Sequence, residues 1–187
     1  MIKNTKISIF KSLFKSSDVP YDVQLDQSLK RIKEGKSKHI IDKMMTLEGD
    51  ARSKLKNQLP CIIFGGVFTQ RKKSGLKEHS GLMVLDFDKI PNNKMDMMFD
   101  QLKQNKHIVS VFMSPSRNGY KAIVSIPKCN AKEHEQYFKQ FNKDHFMTIL
   151  MLLLATLIEF VSNHTIQIFI LIMKLYSTIQ SWLMMVF

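Results

Sequence analysis

The chain has 187 residues, a net charge of +12 and a pI near 9.7, with 44% hydrophobic and 24% charged residues. That balance excludes a disordered chain and suits one domain with a real core, while the charge favours a polyanionic partner, nucleic acid or an anionic membrane surface, without choosing between them. The two cysteines, Cys61 and Cys129, make no CxxC pair and no Cys/His cluster with metal spacing, so a disulfide framework is excluded and free thiols in a reducing cytoplasm are expected.

The first twenty residues carry basic side chains but no sustained apolar run, so they do not read as a secretory signal. Residues 6–13 alternate enough for a strand, and Ser17, Asp18 and Pro20 mark a turn. From Val23 to Leu47, apolar residues recur at helical spacing (Leu25, Leu29, Ile32, then Ile40, Ile41, Met44, Met45), and Gly35 divides them. Two basic helices with a break near Glu34–Ser37 are expected. A second lysine-rich stretch, Arg52 to Lys56, runs on to Leu59 and is stopped by Pro60.

A run of strands follows. Cys61–Phe68 predicts one apolar strand with two central glycines, and Thr69–Lys77 a basic loop. Leu82–Asp88 predicts a buried strand ending in acids, followed by a turn at Lys89–Asn93. Asn93 is placed to cap a helix from Lys94 to Gln104, with Met95, Met98, Phe99 and Leu102 on one face. Ile108–Met113 and Tyr120–Ile126 predict two strands joined by a turn at Ser114–Gly119. Asn130 with Glu133 fits a capping box that opens a last helix carrying Tyr137, Phe138 and Phe141. The order of elements predicts an α+β fold: a mainly antiparallel sheet with helices on one face, preceded by a basic helical segment.

Two features can carry chemistry. In Asp86-Phe87-Asp88, strand alternation puts both carboxylates on one side. Two carboxylates so close repel each other unless a divalent cation lies between them, which is how Mg2+ is held against substrate phosphates. The bland alternative is one Asp capping a turn and the other solvated. The second feature is Ser114-Pro115-Ser116-Arg117-Asn118-Gly119-Tyr120-Lys121, where Asn-Gly marks a turn and the hydroxyls, backbone amides and Lys121 can gather round a phosphate. Its alternative is a plain hairpin with a surface lysine. One crossover helix joins the two, so an acid pair and a phosphate-binding lysine are expected to face one cleft, as phosphoryl transfer requires.

The stretch LPCIIFGGVFTQRK…LKEHSGLMVLDFDKI…VFMSPSRNGYKAIVSIP resembles the N-terminal domain of virulence-associated protein E–type proteins of Bacteroidetes mobile elements, a domain similar to the archaeo-eukaryotic primase superfamily. The resemblance runs from about Val23 to Phe146 and implies an RRM-like, primase-like sheet. It implies that Asp86 and Asp88 bind Mg2+ or Mn2+, and that Ser114, Ser116, Gly119 and Lys121 hold the nucleotide phosphates, with Asp86, Asp88 and Lys121 catalytic. It also implies single-stranded DNA and nucleotides as substrates, and a helicase domain or protein as partner. Arg71, Lys72 and Lys73, with the lysines of residues 30–56, would track the nucleic-acid backbone.

The chain departs from that pattern after Phe146, where Glu159 and Lys174 are the only charged side chains left. Read one base earlier, Met147-Thr148 must encode Asp and Met173-Lys174 must encode Glu. With permitted choices of the free wobble bases the shifted frame can read CFESYDPD, a string the resembled family carries in this place. The expected division is therefore 1–22 for an N-terminal strand and turn, 23–146 for an incomplete primase-like domain, and 147–187 for a hydrophobic, out-of-frame tail outside the native fold. Loss of the closing segment would leave this truncated chain inactive. Two other functions fit the composition: a non-catalytic nucleic-acid-binding module, and a small basic protein anchored in a membrane by its tail.

Overall fold

The structure, a computed structural model, describes residues 4–12 and 18–141. The expectations for Ser17 and for residues 147–187 lie outside the described residues. The elements and sites below lie within Met1–Phe138, a unit in itself, apart from the last turn of the final helix.

β1 (Lys6–Phe10) forms as expected and pairs antiparallel with β2 (Tyr21–Gln24) on one side and β3 (Cys61–Ile63) on the other. Val23 and Gln24, expected at the head of a helix, end β2 instead, because Val23 pairs with Ile7. α1 (Leu25–Lys33) starts directly after it, where the Gln24 amide donates to Gln27 Oε1 (3.2 Å). Asp26 in its first turn and Lys30, Arg31 and Lys33 in its last complement the helix dipole. The break falls where Gly35 predicts it. Gly35 sits at φ +64°, and the amides of Gly35 and Lys36 donate to the carbonyls of Ile32 (3.0 Å) and Arg31 (3.1 Å). These bonds close the helix with a left-handed cap that favours glycine. α2 (Lys38–Met45) and α3 (Gly49–Lys56) follow, and the chain leaves α3 before Pro60.

Cys61–Phe68 is not one strand. Phe64 and Gly65 turn the chain, so β3 belongs to the first sheet and β4 (Gly66–Phe68) pairs with β5 (Leu76–His79) in another. β5 occupies the end of the expected basic loop and all that remains of Thr69–Lys77 is a connection with a short 3-10 turn.

The third sheet has the order β6-β8-β7, with β6 at Leu82–Phe87, β7 at Ile108–Met113 and β8 at Tyr120–Ser125. β8 is antiparallel to both neighbours, so β6 and β7 run parallel and α4 (Met95–Gln104) joins them. This is a split β-α-β unit. The expected Asn93 cap is not made: a 3-10 turn at Asn92–Lys94 precedes α4, whose cap position is Lys94 with no side-chain bond. Asn130 does cap the last helix, α5 (131–141). Its Oδ1 accepts from the amides of Lys132 (2.9 Å) and Glu133 (3.0 Å), and the Asn130 amide donates to Glu133.

The expected α+β class is observed, with its strands shared among three antiparallel sheets. Alternation in the third sheet decides what each face meets. Tyr120 faces α4, where its ring lies 5.6 Å from that of Phe99. Ile123, on the opposite face, packs into a core with Ile7, Leu25, Phe64 and Leu82, which ties the third sheet to β1 and α1. Among the described residues no helix is long and apolar enough to cross a membrane.

Candidate functional site

The antiparallel register of β6 and β8 sets Asp86 directly opposite Lys121. The two side chains share a face, and the Lys121 ammonium binds both carboxylate oxygens of Asp86. Half of the Asp86 side chain is exposed, and 29% of that of Lys121. β6 ends at Phe87, so the alternation that would align Asp88 with Asp86 stops one residue short. Asp88 is exposed beyond the strand, and Lys89 turns the chain at φ +58°.

The loop Ser114–Gly119 closes between β7 and β8 through the Ser114 amide on the Gly119 carbonyl (2.8 Å) and the Arg117 amide on the Ser114 carbonyl (2.9 Å). The residue at positive φ is Arg117 (+61°), not Asn118 or Gly119. Gly119 is required for another reason: a Cβ there would stand 2.0 Å from the carbonyl oxygen of Phe87. The absent side chain lets the loop dock on the end of β6, where the Ile90 amide donates to the Asn118 carbonyl (2.9 Å).

A hollow of about 330 Å³ opens between this loop and the N-terminal helices. Arg31, Lys36, Lys38, Arg117 and Lys121 supply cations to it, Ser37 and Ser114 supply hydroxyls, and Ile32, Ile41, Phe64 and Phe112 form apolar wall. Ser114 is 3% exposed and its Oγ has no hydrogen-bond partner among the described residues. A buried hydroxyl without a partner is costly unless something else satisfies it. Asp42 on α2 anchors the loop from across the hollow, accepting from both Lys38 and Arg117. The hydrogen bonds from Lys38 and then Arg117 hold its carboxyl below the usual carboxylate range.

The structure therefore brings together Asp86, Lys121, Ser114 and Gly119. Ser116 is half-buried and does not line the hollow. Arg71, Lys72 and Lys73 stand apart from it, lining a second hollow of about 510 Å³ with Val84, His79, His134 and Phe138. Lys73 there binds Glu135 at 2.6 Å.

The expectation that neither cysteine joins a Cys/His cluster fails for Cys129. His79 at the end of β5 and His134 in the first turns of α5 meet it, and the ligand atoms of the three all lie within 4.8 Å of one another. The cue present in the sequence is Cys129-x4-His134. His79 is fifty residues away, and only the fold delivers it.

The model of the BT4734-like N-terminal domain family matches residues 54–177, about two thirds of the chain. The chain belongs to this family. The BT4734-like match takes in the last residues of α3 and everything from β3 to α5, with all of the third sheet, while β1, β2, α1, α2 and most of α3 precede it. It also takes in residues 147–177, part of the stretch expected to be out of frame, which lies outside the described residues. No curated protein and no solved structure matches the chain. The BT4734-like name describes no chemistry, so the case for a function rests on the geometry above.

Proposed function

We propose that this domain binds a nucleotide or the end of a single-stranded nucleic acid in the hollow between α1, α2 and the Ser114–Gly119 loop, and that it is a primase-like nucleotidyl-transfer module of a mobile-element replication protein. The observation that carries the reading is the buried Ser114 hydroxyl, without a partner among the described residues, lining the same hollow as five cationic side chains. Clustered Lys and Arg beside unfilled donors suit phosphate oxygens, and the apolar walls suit a base or sugar. The split β-α-β unit supports the RRM-like part of the reading.

A hard divalent ion commonly takes one or two carboxylates and completes its shell with water and substrate phosphates; in this reading Asp86 would hold it, and Asp88, beyond the end of β6, would have to turn toward it as the second ligand. The Asp86 carboxylate already faces positive charge, from the Lys121 ammonium. Mg2+ or Mn2+ bound there would neutralise charge on the transferring phosphoryl group. The chain's own residues have separate tasks. Lys121 exchanges Asp86 for a phosphate oxygen, Arg117 and Lys38 hold the phosphate tail, and Ser114 donates its hydroxyl proton to it.

The test is binding of a fluorescent nucleoside triphosphate and of single-stranded DNA to the full chain, with primer synthesis measured alongside. Lys121→Ala is expected to weaken nucleotide binding about tenfold or more, as loss of one half-buried charge-assisted contact does. Asp86→Asn is expected to abolish the dependence on Mg2+ while leaving the fold intact. Unchanged binding in Lys121→Ala sinks the placement of the nucleotide. Metal-independent DNA binding without synthesis would favour the second reading, a non-catalytic nucleic-acid-binding module, which the existing Asp86–Lys121 pair also suits. A helicase partner belongs to the first reading alone.

A further inference from the structure

His79, Cys129 and His134 take no part in the proposed nucleotide site. His79 is the last residue of β5, Cys129 directly precedes the cap residue of α5, and His134 lies in the first turns of that helix. His79 Nε2 stands 2.8 Å from His134 Nδ1 and 3.5 Å from Cys129 Sγ. The two imidazole rings meet edge-on, with centroids 5.1 Å apart. His79 is buried, and the other two are half-buried. No fourth His, Cys, Asp or Glu joins the group among the described residues.

We propose that these three side chains form a site for a borderline-soft divalent transition metal, Zn2+ above all, with a water in the fourth position. Thiolate and imidazole are the ligands that Zn2+ selects, and three protein ligands with one open position make a recognised tetrahedral set. Cys129-x4-His134 has a spacing that one metal can bridge. Hard ions such as Mg2+ prefer oxygen ligands, so this site and the carboxylates of β6 select different metals.

Without metal the group is held by hydrogen bonds whose direction is set by the backbone. The Gly81 amide donates to His79 Nδ1 at 3.0 Å, so the neutral ring carries its proton on Nε2 and gives it to His134 Nδ1. Burial holds both histidines below their usual range, with the neighbouring His134 adding to the effect on His79, so both are neutral near pH 7. Burial, then Glu133, pushes the Cys129 thiol up, so it is protonated in the metal-free chain.

Loading is then a defined exchange. The Cys129 proton leaves to solvent and a sulfur–metal bond forms. The His79 proton moves from Nε2 to Nδ1, and the ring turns away from the Gly81 amide as Nε2 binds. His134 binds through Nδ1, which already carries a lone pair. One proton is released and no electrons move. The metal then clamps the end of β5 and the turn into β6 to the head of α5.

The experiment is thiol alkylation of the full chain with and without an equivalent of Zn2+, mapped by mass spectrometry with Cys61 as the internal control. Zn2+ is expected to slow modification of Cys129 about tenfold or more and to leave Cys61 unchanged. Equal rates at Cys129 with and without Zn2+, or equal slowing at both cysteines, would overturn the site. Co2+ provides a second reading, needed if burial alone shields Cys129 from the reagent. A sulfur-to-cobalt charge-transfer band should appear in the full chain and in Cys61→Ser, and be lost in Cys129→Ser. Its absence from the full chain, or its survival in Cys129→Ser, would equally end the proposal. In the full chain the Gly81 amide resonance should shift on loading.

Discussion

Gly119 makes the sharpest claim at the scale of single residues. The contact that excludes a side chain is with backbone, the Phe87 carbonyl oxygen, which cannot swing aside. Gly119→Ala must push the loop off the end of β6, and is expected to cost roughly 1–3 kcal/mol, as overpacking typically does. Urea unfolding would measure it. Nucleotide binding should fall as well, because Ser114 and Lys121 flank the displaced loop. Stability equal to that of the parent chain would show that Gly119 is not held by this contact. The Asn118-Gly119 pair predicts a turn, and the turn is there, but the physical reason differs: the left-handed residue is Arg117, and glycine is needed for closeness of approach.

Between elements, Asp42 is the link that joins α2 to the β7–β8 loop. Its side chain is 42% exposed, so screening by water lets it contribute through position more than through energy. Its carboxyl is held below the ordinary range by the Lys38 and Arg117 hydrogen bonds. A depressed folded value means that the unfolded chain binds the proton more readily. The link is therefore intact above the ordinary carboxylate range of about 3.9 and is lost as pH falls through the folded value. The Arg117 guanidinium resonance should titrate with acid in that window, and the titration should vanish in Asp42→Asn. A titration unchanged in Asp42→Asn would place the responding acid elsewhere. High salt should weaken the same link, as it does any exposed ion pair.

On the scale of the whole unit, one core joins the two larger sheets. Ile123 of β8 is 0% exposed and packs with Ile7 of β1, Leu25 of α1 and Phe64 between β3 and β4. Ile123→Ala removes methylenes from the point where these elements meet, and is expected to cost about 2–5 kcal/mol in denaturant unfolding. A loss well below that range would mean that the N-terminal elements hold the third sheet only loosely. The hollow depends on the same packing, since α1 and α2 form one of its walls and the β7–β8 loop the other.

Local pattern determined much of this protein. Period-2 alternation and helical spacing marked β1, β6, β7, β8, α1, α2 and α4, Gly35 marked the break, and Asn130 with Glu133 marked the start of α5, because these signals act between residues close in the chain. The basic hollow was foreshadowed only by charge, and the Asp86–Lys121 pair only by two strand ends of unknown register. Tertiary structure decided the rest. Pairing split Cys61–Phe68 between two sheets and started β5 inside an expected loop, since a strand's partners are chosen across the fold. Register set Asp86 against Lys121, and sheet packing carried His79 to Cys129 and His134. Such meetings depend on burying distant apolar faces together, a long-range free energy that no local window of residues contains.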